Sequence, residues 1–172
     1  MAHVSYLARD EAAESVRPVF DAIEKAHGAV PNFHRALAHS PELLRGFLAF
    51  YGGLQKAELD PKLRELAYLR ASHLNGCAYC LAHHREAGRK AGLDDAQVEG
   101  IADPGRSEAY DHLQQLVLLY AEQVTRHIHA DAAVIADLRK ALGDRGLVEL
   151  AVTVGMANLT NRVTETLGME LP

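Results

Sequence analysis

The chain has 172 residues, 48% of them hydrophobic, which fits one domain with a genuine core rather than a disordered tail. Its formal net charge is -5 with acidic and basic residues interspersed, so no basic stripe is available to displace phosphate counterions and no nucleic-acid partner is expected. The N-terminal MAHVSYLARDEAAES lacks a basic start followed by an apolar run, and no apolar stretch reaches the ~18–20 residues of a membrane span. The expectation is a cytoplasmic chain without membrane association.

Helical periodicity with capping signals recurs along the chain, and strand signals are nearly absent. The first helix is expected from Asp10 to about Ala26, interrupted or restarted near Pro18 and ended by His27-Gly28. Val30-Pro31-Asn32 breaks the chain before a short helix ending by Ser40. Pro41 opens the next helix, with Leu43, Leu44, Phe47, Leu48 and Tyr51 on one face and Gly52-Gly53 weakening its end. Asp60-Pro61 joins a capping carboxylate to a proline at the first helical position, and that helix runs to Leu74 before Asn75-Gly76. Another begins near Cys77 and ends at Gly92, followed by a short helix from Asp94 or Asp95 to Ile101 and a loop at Asp103-Pro104-Gly105. Ser107 is read as the cap of a long helix through Arg126. Asp131 starts another, closed by Gly143, and Asp144 starts the last, to about Leu167. The reading is an all-α, single-domain multi-helix bundle over residues 1–172, with N-terminal helices in 1–56, a central part near 60–102 and C-terminal helices near 107–168.

The chain's two cysteines, Cys77 and Cys80, sit three apart at a helix start. In a reducing compartment such a pair is redox-active or metal-binding more often than a structural staple. On an ideal helix Cys80 lies about 60° from Cys77, His84 only about 20° away and His83 about 120° away, so helix geometry selects His84 as the partner. The thiolate is the nucleophile, yet a thiol at its ordinary pKa is only ~3% ionised at pH 7. Raising that to roughly 75% needs about 2.7 kcal/mol, and a helix N-terminus supplies about 0.3–1 kcal/mol. A second group must help, and His84 is able to take the thiol proton and stay beside the sulfur as imidazolium. Glu65, on a largely apolar helix, is a partly desolvated carboxylate able to orient His84 and pass protons to it.

The pattern Glu65, then Cys77-x-x-Cys80-x-x-x-His84, resembles the alkylhydroperoxidase D-like family of the carboxymuconolactone decarboxylase superfamily. The segment from Val30-Pro31-Asn32-Phe33 to His39-Ser40-Pro41-Glu42-Leu43-Leu44 resembles its peroxidase-related branch. The resemblance implies an all-α fold assembling as homotrimers or hexamers, and reduction of hydroperoxides at the expense of an external dithiol. It implies that Cys80 attacks the peroxide, Cys77 resolves the product, and Glu65 with His84 relays protons. Some members carry histidine next to the second cysteine, where this chain has Tyr79, and tyrosine is no base near neutral pH.

Two further readings compete with the peroxidase. A decarboxylase or isomerase acting on a lactone-like acid needs no dithiol. A non-catalytic zinc-binding or redox-sensing protein would use Cys77, Cys80 and His84 with His73 or His83 as fourth ligand, although zinc sites more often pair two such elements. No metal and no cofactor are expected, and no G-x-G-x-x-G fingerprint for a nicotinamide is present. Tyr68, one turn after Glu65, is read as packing that also has access to the site. Asn161-Arg162 is read as structural in a subunit interface, His112, His127 and His129 as solvated, and Phe33, Phe47 and Tyr51 as core or interface. Leu63-Arg64-Glu65-Leu66-Ala67 echoes Leu147-Val148-Glu149-Leu150-Ala151, each after an aspartate, with Asn161 and Thr164 at the positions of Cys77 and Cys80. The echo fits either an ancient duplication or the ordinary frequency of acidic, leucine-rich helix starts.

Overall fold

Prolines and capping carboxylates decide where the helices of this chain begin. The computed structural model describes residues 1–171, and among them are eight α-helices and no strand. They are α1 (Arg17–His27), α2 (Asn32–Leu37), α3 (Pro41–Leu54), α4 (Pro61–Leu74), α5 (Ala78–Ala91), α6 (Asp95–Glu99), α7 (His112–His127) and α8 (Ala132–Thr166). Two 3-10 turns, Gly100–Ala102 and Pro104–Arg106, lie between α6 and α7. The all-α class read from the sequence is the class observed. No helix among the described residues is long and apolar enough to cross a membrane.

The backbone divides into two compact units. One comprises Met1–Lys56 together with the residues from Thr164 onward. Here α1 starts at Arg17, not Asp10, and the residues before it form turns. Pro18 has no N–H to donate to the preceding turn and its ring would clash with the carbonyl four residues back, so it is accommodated only in the first turn of α1. Ala12, Val16, Phe20, Ala38 and Leu44 make the core of this unit. Phe33, Phe47 and Tyr51 form a row of rings with centroids 4.9 and 5.9 Å apart. Leu43, expected on the buried face of α3, is instead exposed, because it sits a full residue step around the helix from Leu44. Arg35 draws the N-terminal segment onto α2 by donating to the carbonyls of Leu7 (3.1 Å) and Tyr6 (2.9 Å).

The other unit, Ala57–Val163, carries α4 packed against both α5 and α7. Asp60 caps α4 by accepting from the Lys62 N–H at 2.8 Å, with Pro61 at the first position, as the sequence predicts. Leu59, Leu63, Ala67, Val117, Ala121, Leu138, Leu150 and Val154 form one core cluster. Leu66, Leu69, Leu93, Val98, Ile101 and Leu118 form a second on the opposite side of α4. Burial on both sides explains why α4 is buried almost all round in its second half. Within it Arg70 is a buried cation, bonded to the carbonyls of Ile101 (2.8 Å) and Ala102 (3.0 Å) and paired with Glu122.

The start of α7 differs from expectation. Asp111, not Ser107, is its cap, in a reciprocal capping box with Gln114. Ser107 accepts from the Ala109 N–H and so closes a local turn instead. The predicted break before the last helix is present within α8: Gly143 has φ 70° and ψ 175°, and helical geometry resumes from Asp144.

Candidate active site

The cysteine pair sits where α4 hands over to α5. Asn75 ends α4, Gly76 turns with φ 68°, and the Cys77 N–H donates to the Ser72 carbonyl at 3.0 Å. This turn is held from α8: Asn75 donates to the side-chain oxygens of Asn161 (2.8 Å) and Asn158 (3.1 Å), and Asn161 donates to Ser72 Oγ (3.0 Å). Asn161 is 1% exposed, so its amide serves a buried intramolecular clamp.

Cys77 is the N-cap of α5, with φ -76° and ψ 93°. Its Sγ accepts from the Cys80 N–H at 3.1 Å. The helical-wheel reading treated Cys77 as a helical residue, but its extended backbone turns its side chain back over the first turn. The sulfur thereby meets the Cys80 N–H, one of the donors that a helix start leaves without an intrahelical partner. Cys80 and His84 do follow helical spacing, four residues apart on α5. Both cysteines are thiols and both are buried, at 0% and 4% exposure.

The structure brings Glu65 and His84 together. His84 Nδ1 lies 2.7 Å from Glu65 Oε2, with the two side chains only 14% and 17% exposed. A carboxylate accepts, so Nδ1 carries the proton and Nε2 is the nitrogen left to serve the rest of the site. Glu65 stands on α4 and His84 on α5, and the apolar packing of these two helices holds the pair. Gly88, one turn beyond His84, keeps α5 close to α4: a Cβ there would lie 3.0 Å from Leu93 Cδ1, 3.5 Å from Leu69 Cδ1 and 3.7 Å from Glu65 Cβ.

Tyr68, which the sequence reading treats as packing with access to the site, is part of it. The Tyr68 ring stacks on the His84 ring with centroids 3.4 Å apart and planes 15° from parallel. Its hydroxyl bonds to Thr160 of α8. The signal in the sequence was position: Tyr68 is one turn after Glu65, on the same side of α4. Thr160 gave no signal, being 92 residues from Tyr68.

The neighbouring histidines divide. His83 packs against Tyr79 at 4.6 Å, and among the described residues no group bonds its buried Nε2. Burial lowers its pKa, the adjacent His84 adds to this and Glu86 opposes it. His73 is also lowered, by burial and then by Arg70 and Arg85. His112, His127 and His129 are exposed. No group of three or more His, Cys, Asp or Glu side chains among the described residues is arranged to hold a metal ion. In the sequence echo, Glu149 at the position of Glu65 accepts from the Leu59 N–H at 2.8 Å and pairs with Arg145. Glu149 and Asn161 thus hold structural contacts at the positions that match Glu65 and Cys77 of the cysteine site.

Residues 41–123 match the carboxymuconolactone decarboxylase family. The fold matches an uncharacterized peroxidase-related protein from Silicibacter sp. TM1040 with a TM-score of 0.88 at 27% identity, covering 99% of this chain and 92% of that one. In this stretch and in its fold the chain is similar to the alkylhydroperoxidase D-like proteins of the carboxymuconolactone decarboxylase superfamily. The alkylhydroperoxidase AhpD core of a peroxidase-related protein from Ralstonia eutropha JMP134 has the same fold, with a TM-score of 0.89 at 23% identity over 99% of this chain and 92% of that one. The Bacillus subtilis (strain 168) protein YdfG is 21% identical over 131 residues, 75% of this chain and 89% of its own length. Glu65, Tyr68, Cys77, Cys80 and His84 fall inside the matched stretch, and Thr160 and Asn161 fall beyond it.

Proposed function

We propose that this protein is a thiol-dependent peroxidase that reduces alkyl hydroperoxides through Cys77 and Cys80. The observation that carries the reading is the 2.7 Å contact of His84 with Glu65 on the helix whose first turn holds both cysteines. Cys80 thiolate attacks the distal peroxide oxygen, the O–O bond breaks, and Cys80 becomes sulfenic acid as an alcohol leaves. His84 takes the Cys80 proton before attack and returns one to the departing alkoxide, and Glu65 holds the imidazole in the tautomer this requires. Cys77 then condenses with the sulfenic acid, releasing water and forming the disulfide. An external dithiol restores both thiols by exchange and is itself oxidised. The reading places the chain in a reducing compartment such as the cytoplasm, as a homo-oligomer.

The test is consumption of cumene hydroperoxide with dithiothreitol as reductant. Wild type turns over. Cys80→Ser is inactive, and Cys77→Ser makes one sulfenic acid per chain that dimedone traps. Turnover that survives Cys80→Ser refutes the assignment of the attacking sulfur, and turnover that survives loss of both cysteines refutes the dithiol cycle.

A further inference from the structure

We propose that Tyr68 and Thr160 are positioning residues: the Tyr68 ring is the platform that holds the His84 imidazole against Glu65, and Thr160 fixes that ring. The consequence for turnover rests on the reading of His84 as the proton carrier above, but the arrangement itself does not.

Thr160 Oγ1 lies 3.0 Å from the Met156 carbonyl and 3.1 Å from the Ala157 carbonyl, so it is anchored to α8. Its hydrogen bond with the Tyr68 hydroxyl holds the far end of the phenol. What Tyr68 presents to His84 is the face of its ring. Tyr68 is 5% exposed and the His84 side chain 14%, so the stacked pair is largely dry. The near-parallel stack also removes rotation of the imidazole about its χ2 axis, which keeps Nδ1 on Glu65.

Among the described residues, the other charged groups on these helices do not supply this restraint. On α4, Glu65 is the carboxylate that faces His84, and Arg70 is engaged with Glu122. Along α5, His83 adjoins it, Cys80 lies one turn before, and Arg85 and Arg89 pair with Glu99 and Asp95 of α6. On α8, Arg162 bonds to Asn158 and Glu149 pairs with Arg145.

The test is ¹⁵N NMR of the His84 ring in the full chain, which reads the imidazole tautomer and its exchange broadening, beside kcat and KM for peroxide turnover. Wild type shows one sharp Nδ1–H tautomer. Tyr68→Met removes the platform, and the signal broadens toward a mixture of tautomers. Thr160→Val and Tyr68→Phe keep the ring but free its far end, and each broadens the signal to a smaller extent, so they carry the test even if Tyr68→Met does not fold. Where turnover is observed, kcat falls in all three variants while KM stays. A His84 signal as sharp as wild type in a folded Tyr68→Met chain, or in both Thr160→Val and Tyr68→Phe, overturns the proposal. Absence of turnover with every donor refutes the peroxidase reading alone, because the ring signal is read without substrate.

Discussion

The Cys80 N–H donates to Cys77 Sγ, so the first cysteine of the pair is also the structural cap of the helix that carries the second. The two duties separate by mutation. Serine is a strong cap and alanine a poor one, the difference being about 1 kcal/mol. Cys77→Ala is expected to lower unfolding stability by roughly that amount. Cys77→Ser should leave it near wild type, and both should abolish disulfide formation. Urea unfolding of the three reduced proteins decides this, and equal loss in both variants would show that the sulfur contributes no capping.

Arg70 is the cation on which three segments converge, since α4, the turn at Ile101-Ala102 and Glu122 of α7 all meet its guanidinium. Arg70→Met leaves two carbonyls and a carboxylate short of a donor, with an expected loss of about 2–4 kcal/mol. Lysine lacks the planar fork and should not rescue it. The Arg70 hydrogen bond is also the first cause of the lowered pKa of Glu122. A lowered carboxyl pKa means the unfolded chain binds the proton more readily, so this stability is present above the ordinary carboxylate pKa and is lost as pH falls. Thermal melts between about pH 7 and pH 3 should show the acid-side loss in wild type and a smaller one in Glu122→Gln.

Gly143 and Gly155 both have open space around a would-be Cβ, yet opposite outcomes are expected. Gly143 has φ 70°, which any L side chain adopts at a cost, so Gly143→Ala should destabilise by about 1–2 kcal/mol. Gly155 is inside the regular part of α8, where alanine should add about 0.5–1 kcal/mol. Denaturant midpoints of the two single variants give the comparison directly, and two shifts of the same sign would contradict it.

His73 and His83 make stability depend on pH near neutrality. Burial is the first cause of both lowered pKa values, so the folded chain keeps these rings neutral at a pH where the unfolded chain protonates them. Just below the ordinary imidazole pKa the unfolded state binds more protons, so stability is full above that pH and falls as pH drops through it. The urea midpoint should decline from about pH 7.5 to about pH 5.5. His83→Gln, which titrates in neither state, should flatten part of that decline, and an unchanged slope in this variant would rule out the contribution of His83.

The cysteine-bearing helices were legible because their signals are local. Asp60-Pro61, Asn75-Gly76 and Gly92 each act through the backbone of the next few residues, and α4 and α5 begin and end there. The start of α7 was misread because Ser107 and Asp111 both have capping chemistry, and only the reciprocal bond with Gln114 distinguishes them. Of the segment read as helical from Asp10, only the part restarted near Pro18 is helix, because proline fits the first turn and not the interior. His84 follows from its helical spacing to the cysteines and Glu65 from its place on an apolar helix, with the family pattern joining the two, whereas Tyr68 on His84 and the Asn75–Asn161 clamp depend on how α4, α5 and α8 meet. No spacing rule reaches across 86 residues to Asn161 or 92 to Thr160. Arg70 stayed hidden because a charged residue on a helix is solvated by default, and its burial is set by what two other segments cover.

Both sulfurs lie beneath the surface, with Cys77 fully covered and Cys80 nearly so. Encounter with an oxidant is therefore sieved by molecular size and timed by transient local opening. A slender reagent should modify Cys80 many times faster than a bulky one of equal intrinsic reactivity, and mild denaturant should narrow that gap well before the helices melt.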